Sequence, residues 1–252
     1  WREALVPFCI PAGRRGMDKV LAGEWRDSSY NVVMIVRSRY PDAPKVLLGA
    51  HYDHLGLFKA DKGKRHKAAD MLRGANDNAS GTAAVVEIAR CLQPYADSFR
   101  RDLVVALFGA EEMGIVGSRH LERMLRDSAV VVGHMVNLEM LDRLKEDNFR
   151  MHLFVDDMDA MKQISVPNVD SLSVGVVMNN SGASDHFSFT AMGIPAALFA
   201  TDDMATLHQA TDTPESLNME GMERVVNYIM RNVYALLTAE RLPSPNRTQE
   251  AR

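Results

Sequence analysis

Residues 45–56 read Lys-Val-Leu-Leu-Gly-Ala-His-Tyr-Asp-His-Leu-Gly, KVLLGAHYDHLG. Lys45–Ala50 is a near-continuous apolar run, the pattern of a central strand covered on both faces. It delivers His51 at its carboxyl end. On its amino-terminal side, Tyr30–Val36 (YNVVMIV) is rich in β-branched and apolar residues and reads as a further strand. The polar stretch Arg37–Pro44 between them, with two prolines, reads as a turn.

On the carboxyl side the pattern alternates. Ser80–Gln93 reads as a helix, with Val85, Ile88, Ala89 and Leu92 at i, i+3, i+4 and i+7 and Pro94 as its stop. Asp102–Phe108 (DLVVALF) is a second buried strand, running into Gly109-Ala110-Glu111-Glu112. Val116–Leu125 reads as a helix and Val130–Leu138 as a strand ending at Glu139. Met151–Val155 and Ser171–Val177 are weaker strands, and Ile194–Ala200 (IPAALFA) a stronger one. Gly221–Leu237 is an amphipathic helix whose apolar face is Met222, Val225, Val226, Ile229, Val233 and Leu236. Strands alternating with helices give the α/β class with a largely parallel sheet. In such sheets ligands bind beyond the carboxyl ends of the strands. His51, Glu111, Glu112 and Glu139 each follow an apolar run directly.

Composition narrows the functions. With 252 residues, 46% of them hydrophobic, the chain can bury one sizeable core. A formal net charge of −4 gives no nucleic-acid footprint. No apolar run approaches the roughly 20 residues of a membrane span. Cys9 and Cys91 read as free thiols or small buried hydrophobes. There is no CxxC, so any metal falls to His, Asp and Glu. The basic cluster Lys62, Lys64, Arg65, His66 and Lys67 reads as a solvated loop, and the sixteen methionines as core filler.

Five segments could carry chemistry: His51-Tyr52-Asp53-His54-Leu55-Gly56; Gly74-Ala75-Asn76-Asp77-Asn78-Ala79-Ser80-Gly81; Phe108-Gly109-Ala110-Glu111-Glu112; Asn137-Leu138-Glu139-Met140; and Leu207-His208 with Asp212-Thr213-Pro214. Each alone has an ordinary reading as a strand-end hydrogen bond, a helix start, a turn or an N-cap. Together they set two histidines and several carboxylates at the ends of buried strands, where a carboxylate requires a partner. These are suitable zinc ligands. Two metals about 3.5–4 Å apart make a known hydrolytic arrangement.

In this order the segments resemble the co-catalytic zinc peptidases that include bacterial leucyl aminopeptidase, aminopeptidase S and glutamate carboxypeptidase. The resemblance runs from about Tyr30 to about Leu237. It implies a three-layer α/β/α sandwich with a mixed, mostly parallel sheet, the zinc-dependent exopeptidase fold. It implies two zinc ions, with Mn or Co as possible substitutes. Asp77 resembles the bridging carboxylate. His51 and Glu139 complete one metal, Glu112 and His208 the other. Glu111 resembles the general base, which takes a proton from a metal-bridging water. Asp53 orients His51, and the Asp77–Asn78 peptide bond is cis. Ser184-Asp185-His186 resembles a supporting segment, and Asp212 anchors the His208 loop. His54 is taken as structural. His66, His120, His134 and His152 are taken as surface or hydrogen-bonded residues. The implied activity is release of amino-terminal residues from peptides. The alternatives are a glutamate carboxypeptidase-like enzyme or dipeptidase, a one-zinc glutaminyl cyclase, and a non-catalytic relative. A carboxypeptidase needs cations for the substrate carboxylate, for which Arg73, Arg119 and Arg143 stand near the motifs. No GxSxG elbow and no HExxH motif is present.

The sequence departs from the family at Glu139, more often Asp, and at Asp142, often Gly. No protease-associated insert domain is present, which implies an open site. The expected organisation is a segment of unassigned role at 1–29, a catalytic domain at 30–239 and a polar flexible tail at 240–252. Family habit and the start at Trp1 imply export to the periplasm or the cell exterior. Oligomeric state stays open. Side-chain preference is open too, with residues 158–180 and 201–206 as its candidates.

Overall fold

The computed structural model describes residues 2–11, 25–57, 71–155, 166–178, 184–202 and 204–243. The basic cluster at 62–67, residues 158–165, 179–180 and 203 of the preference candidates, and residues 244–252 of the tail lie outside them. The chain forms strands β1 (Arg2–Pro11), β2 (Trp25–Val36) and β3 (Lys45–His51), then the short pair β4 (Gly56–Leu57) and β5 (Met71–Leu72). A tight turn over Ala75–Ser80 leads into helix α1 (Gly81–Leu92). Strand β6 (Leu103–Phe108), helix α2 (Val116–Asp127) and strands β7 (Val132–Glu139), β8 (Phe149–Phe154) and β9 (Val174–Met178) follow. Helix α3 (His186–Thr190), strand β10 (Ala196–Thr201) and helix α4 (Met219–Thr238) complete the described elements.

Eight strands form one mixed sheet in the order β1-β2-β6-β3-β7-β10-β8-β9. Its centre, β6-β3-β7-β10, is parallel throughout. All seven residues of β3 are buried. Alternate side chains face opposite ways. Val46, Leu48 and Ala50 join the layer built with α1 and α4, where Val85, Ile88, Val225, Ile229 and Val233 are buried. Leu47 joins the other layer, with Leu121 of α2 and Phe189 of α3. Helices on both faces make three layers, the class the sequence implies.

The long helix follows its expected apolar stripe, with Tyr228 and Asn232 buried beside it and Val226 only half-buried. Arg101 closes its far end, donating to the Leu236 and Ala239 carbonyls. A cation there meets the negative end of the helix dipole. The main difference from the sequence reading lies at the sheet edge. β2 begins at Trp25, ahead of Tyr30, because it pairs antiparallel with β1 from Arg2↔Ile35 to Pro11↔Trp25.

Connectivity places the site. From β3 the chain passes through α1 to β6 on one side, then through α2 to β7 on the other side of β3. Such a reversal opens a crevice at the carboxyl ends of the two diverging strands. Those ends are His51 and Glu139.

Candidate metal centre

Five segments converge on that crevice. β3 supplies His51, β7 supplies Glu139, and the turn before α1 supplies Asp77. Glu111 and Glu112 follow β6, and His208 lies on the loop after β10. Ala110, Met140 and His208 have φ of 57°, 51° and 55°. Left-handed backbone at non-glycine residues is costly and clusters at functional sites. The Asp77–Asn78 peptide bond is cis, as the resemblance implies.

The two oxygens of Asp77 face different partners. Oδ1 lies 3.3 Å from His51 Nε2, which is also 3.1 Å from Glu139 Oε1. Oδ2 lies 3.3 Å from His208 Nε2, which is also 3.1 Å from Glu112 Oε2. The structure thus brings the five residues expected as ligands together around Asp77. A tetrahedral site with ligands at about 2.0–2.1 Å has edges of about 3.3 Å. The four spacings match a pair of cation sites sharing Asp77.

Polar contacts fix each member. His51 Nδ1 is 3.0 Å from the Asp53 backbone carbonyl and 3.7 Å from its carboxylate. That carboxylate accepts hydrogen bonds from the Glu111 and Glu112 N–H groups at 3.0 and 3.2 Å. One residue thus orients both the histidine and the Glu-Glu turn. Ser184 donates to Glu139 Oε2 at 2.6 Å and accepts from Asn137 Nδ2 at 2.9 Å. Asp212 accepts from the N–H groups of Asn76 and Asp77, so it grips the Asp77 turn. In that turn Asn78 Oδ1 accepts from Gly81 N–H and Met140 N–H, and Ser80 Oγ accepts from Leu141 N–H. A Cβ on Gly81 would sit 2.3 Å from Asn78 Oδ1 and 2.8 Å from the Leu138 carbonyl oxygen. Only glycine lets α1 start this close to the end of β7.

The charges answer one another. Burial opposes protonation of His51, but Glu139's charge and its contacts with Asp53 and Asp77 raise it far above the ordinary imidazole value. Burial alone would raise Asp77 and Glu112. The histidines overcome it, His208 first, holding Asp77 well below the usual carboxylate range and Glu112 at about 2. The neighbouring Asp77 and Glu112 carboxylates, 3.3 and 3.1 Å away, raise His208 to about 10. Burial pushes Glu111 up to about 9, opposed by His51 and reinforced by Asp185, Glu139 and Glu112. Burial likewise lifts Asp185 to about 7. Asp77 Oδ2 and Glu112 Oε1 are buried with no hydrogen-bond partner. A crowded carboxylate cluster with such orphaned oxygens is a donor set suited to cations.

His54, taken as structural from the sequence, also reaches the cluster. Its Nδ1 is 2.9 Å from Glu112 Oε1 and 3.8 Å from Asp77 Oδ2. Of the other histidines, His134 is fully buried with neither ring nitrogen hydrogen-bonded. Burial pushes it down to about 3, so it is neutral. His120 and His152 are half-buried, and His66 lies outside the described residues. Arg143 donates to Ser216 and pairs with Asp142, while Arg73 and Arg119 are exposed.

The chain is similar to several known proteins. The family described as Peptidase family M28 matches residues 31–233. Aminopeptidase YwaD of Bacillus subtilis (strain 168) is 26% identical over 239 residues, which are 88% of this chain and 48% of that protein. The chain therefore spans about half the length of that relative. A probable zinc metalloprotease of Leptosphaeria maculans is 33% identical over 130 residues, 49% of this chain and 28% of that protein. Among solved structures, the aminopeptidase from Aneurinibacillus sp. strain AM-1 superposes with a TM-score of 0.66 at 25% identity, covering 88% of this chain and 53% of that one. An Acidobacteriales bacterium glutaminyl cyclase shares the fold at a TM-score of 0.67 and 16% identity, covering 92% of this chain and 78% of that one.

Proposed function

Because the chain belongs to peptidase family M28, we propose that it is a zinc-dependent exopeptidase releasing amino-terminal residues from peptides. His51, Asp77 and Glu139 would hold one ion; Asp77, Glu112 and His208 would hold the second. The observation that carries this reading is Asp77, whose two oxygens each meet a different histidine–glutamate pair. Bound there, the ions supply Lewis acidity, which acidifies water and polarises a carbonyl.

The protein's own residues do the rest. Glu111 lies among the ligand carboxylates without taking part in either histidine–carboxylate set. Its place beside His51, Glu139 and Glu112 suits a base that accepts a proton from water and returns it to the leaving amine. The Asp53 carboxylate holds the backbone of Glu111 in place for that exchange. Carboxylates crowd the crevice, and an ammonium group is the substrate end they attract. Arg143 is engaged by Ser216 and Asp142, which gives no support to recognition of a substrate carboxylate. The aminopeptidase names of the relatives point the same way and set the cyclase reading second.

The test is a pair of substrates, a leucine chromogenic amide and its N-acetylated form. Release from the free amine alone supports the proposal. Equal release from both, or cleavage confined to peptides with a free carboxyl end, would refute it.

A further inference from the structure

His54 lies three residues beyond the end of β3, with its side chain 7% exposed. Its Nδ1 is 2.9 Å from Glu112 Oε1 and 3.8 Å from Asp77 Oδ2. Its ring stands 5.7 Å from that of His208, whose Nε2 contacts the same two carboxylates. Despite the short distance, no aligned hydrogen bond joins His54 to Glu112. Both ring nitrogens of His54, Glu112 Oε1 and Asp77 Oδ2 are all buried without a hydrogen-bond partner. One donor atom each from His54, Asp77 and Glu112 lies within reach of a single point, a set that could hold a cation.

Local packing sets the ring in this place. The adjacent pair β4 and β5 brings Gly74 against it. Gly74 has φ of 67°, and a Cβ there would lie 2.4 Å from His54 Cγ and 2.2 Å from the Asp77 carbonyl oxygen. Only a glycine lets both the His54 ring and the Asp77 turn close on the same point.

We propose that His54 is a direct ligand, through Nδ1, of the metal held by Asp77, Glu112 and His208. The proposal rests on the two-metal reading above. It makes the two ions unequal. The second would have four protein ligands and the first three. The ion at His51 is then the one that chelators remove first.

The test is cobalt binding to the metal-stripped full chain, followed by calorimetry and visible absorption, in wild type, His54→Ala and His54→Gln. The expected result is two ions in wild type. In both variants one of them is weakened about tenfold or more, with an altered absorption band, and the other is unchanged. A folded variant binding two ions with wild-type affinity and spectrum overturns the proposal, as does full rescue by glutamine, which would mark a positioning hydrogen bond. X-ray absorption of the wild-type zinc protein counts imidazoles without any variant. Three shared by two ions supports His54 as a ligand, and two overturns it. Fewer than two ions in wild type overturns the two-metal reading, and the proposal with it.

Discussion

Asp212 holds Asp77 by its backbone: Asp212 Oδ2 accepts the Asp77 N–H at 3.0 Å, while Oδ1 accepts the Asn76 N–H at 2.7 Å. The shared carboxylate is thereby fixed by a residue 135 positions later in the chain. Asp212→Ala leaves two buried donors unmet, at about 1–3 kcal/mol each. The variant should melt lower and bind both metals more weakly, because both depend on Asp77. Calorimetric metal titration and a thermal melt check this, and loss at one metal alone would contradict it.

Ser184 supports only one of the two histidine–glutamate pairs, that of His51 and Glu139. Its hydroxyl donates to Glu139 Oε2 at 2.6 Å, leaving Oε1 turned toward His51. Ser184→Ala should weaken the ion at His51 and Glu139 about 10–100-fold, the usual effect of losing a ligand's supporting hydrogen bond. The ion at Glu112 and His208 should keep its affinity. Equal weakening of both, in the same titration, would show that Ser184 is not specific to Glu139.

Glu111→Gln keeps the size of the side chain and removes the base. Turnover should fall about 10²–10⁴-fold, the range for a positioned acid–base group. Metal content, measured on the same sample, should stay at the wild-type level. Retained turnover would remove Glu111 from the proton path.

Much of this was legible in the sequence because buried parallel strands leave continuous apolar runs. KVLLGA and DLVVALF each became a strand of the central sheet, with His51 directly after the first and Glu111 and Glu112 three and four residues after the second. The Gly221–Leu237 stripe became α4, extended by two residues at its start and one at its end. What the sequence hid are contacts made to backbone groups. An aspartate that clamps two N–H groups 135 residues away leaves no local pattern, so Asp212 read as an anchor for the nearby His208 loop. The Asp53 carboxylate read as a partner of His51, yet its nearest contacts are the Glu111 and Glu112 amides. β1 has no role assigned from the sequence; its pairing along β2, from Arg2↔Ile35 to Pro11↔Trp25, defines it. His54 sits past the strand end, where no periodicity says which way a ring turns.

Acid stability follows from Asp102, at the start of β6. Burial alone would raise its carboxyl. The Ser38 N–H at 2.8 Å, the Arg37 guanidinium at 2.8 Å and the Lys45 ammonium at 3.5 Å overcome that and lower it. A depressed folded value contributes stability above the unfolded value of about 3.9 and loses it as the pH falls through the folded value. Asp102→Asn should therefore melt lower than wild type at neutral pH, with the gap closing as the pH drops below about 4. Melts across that range check it, and a gap independent of pH would contradict the ion-pair account.

The central claim is a two-metal centre sharing Asp77, and zinc counting tests it most directly. The metal content per chain should be measured alongside release of a leucine chromogenic amide, before and after chelation. The account predicts two zinc ions, loss of release on chelation and recovery on adding zinc back. One ion at saturation, or none after zinc is restored, would contradict it.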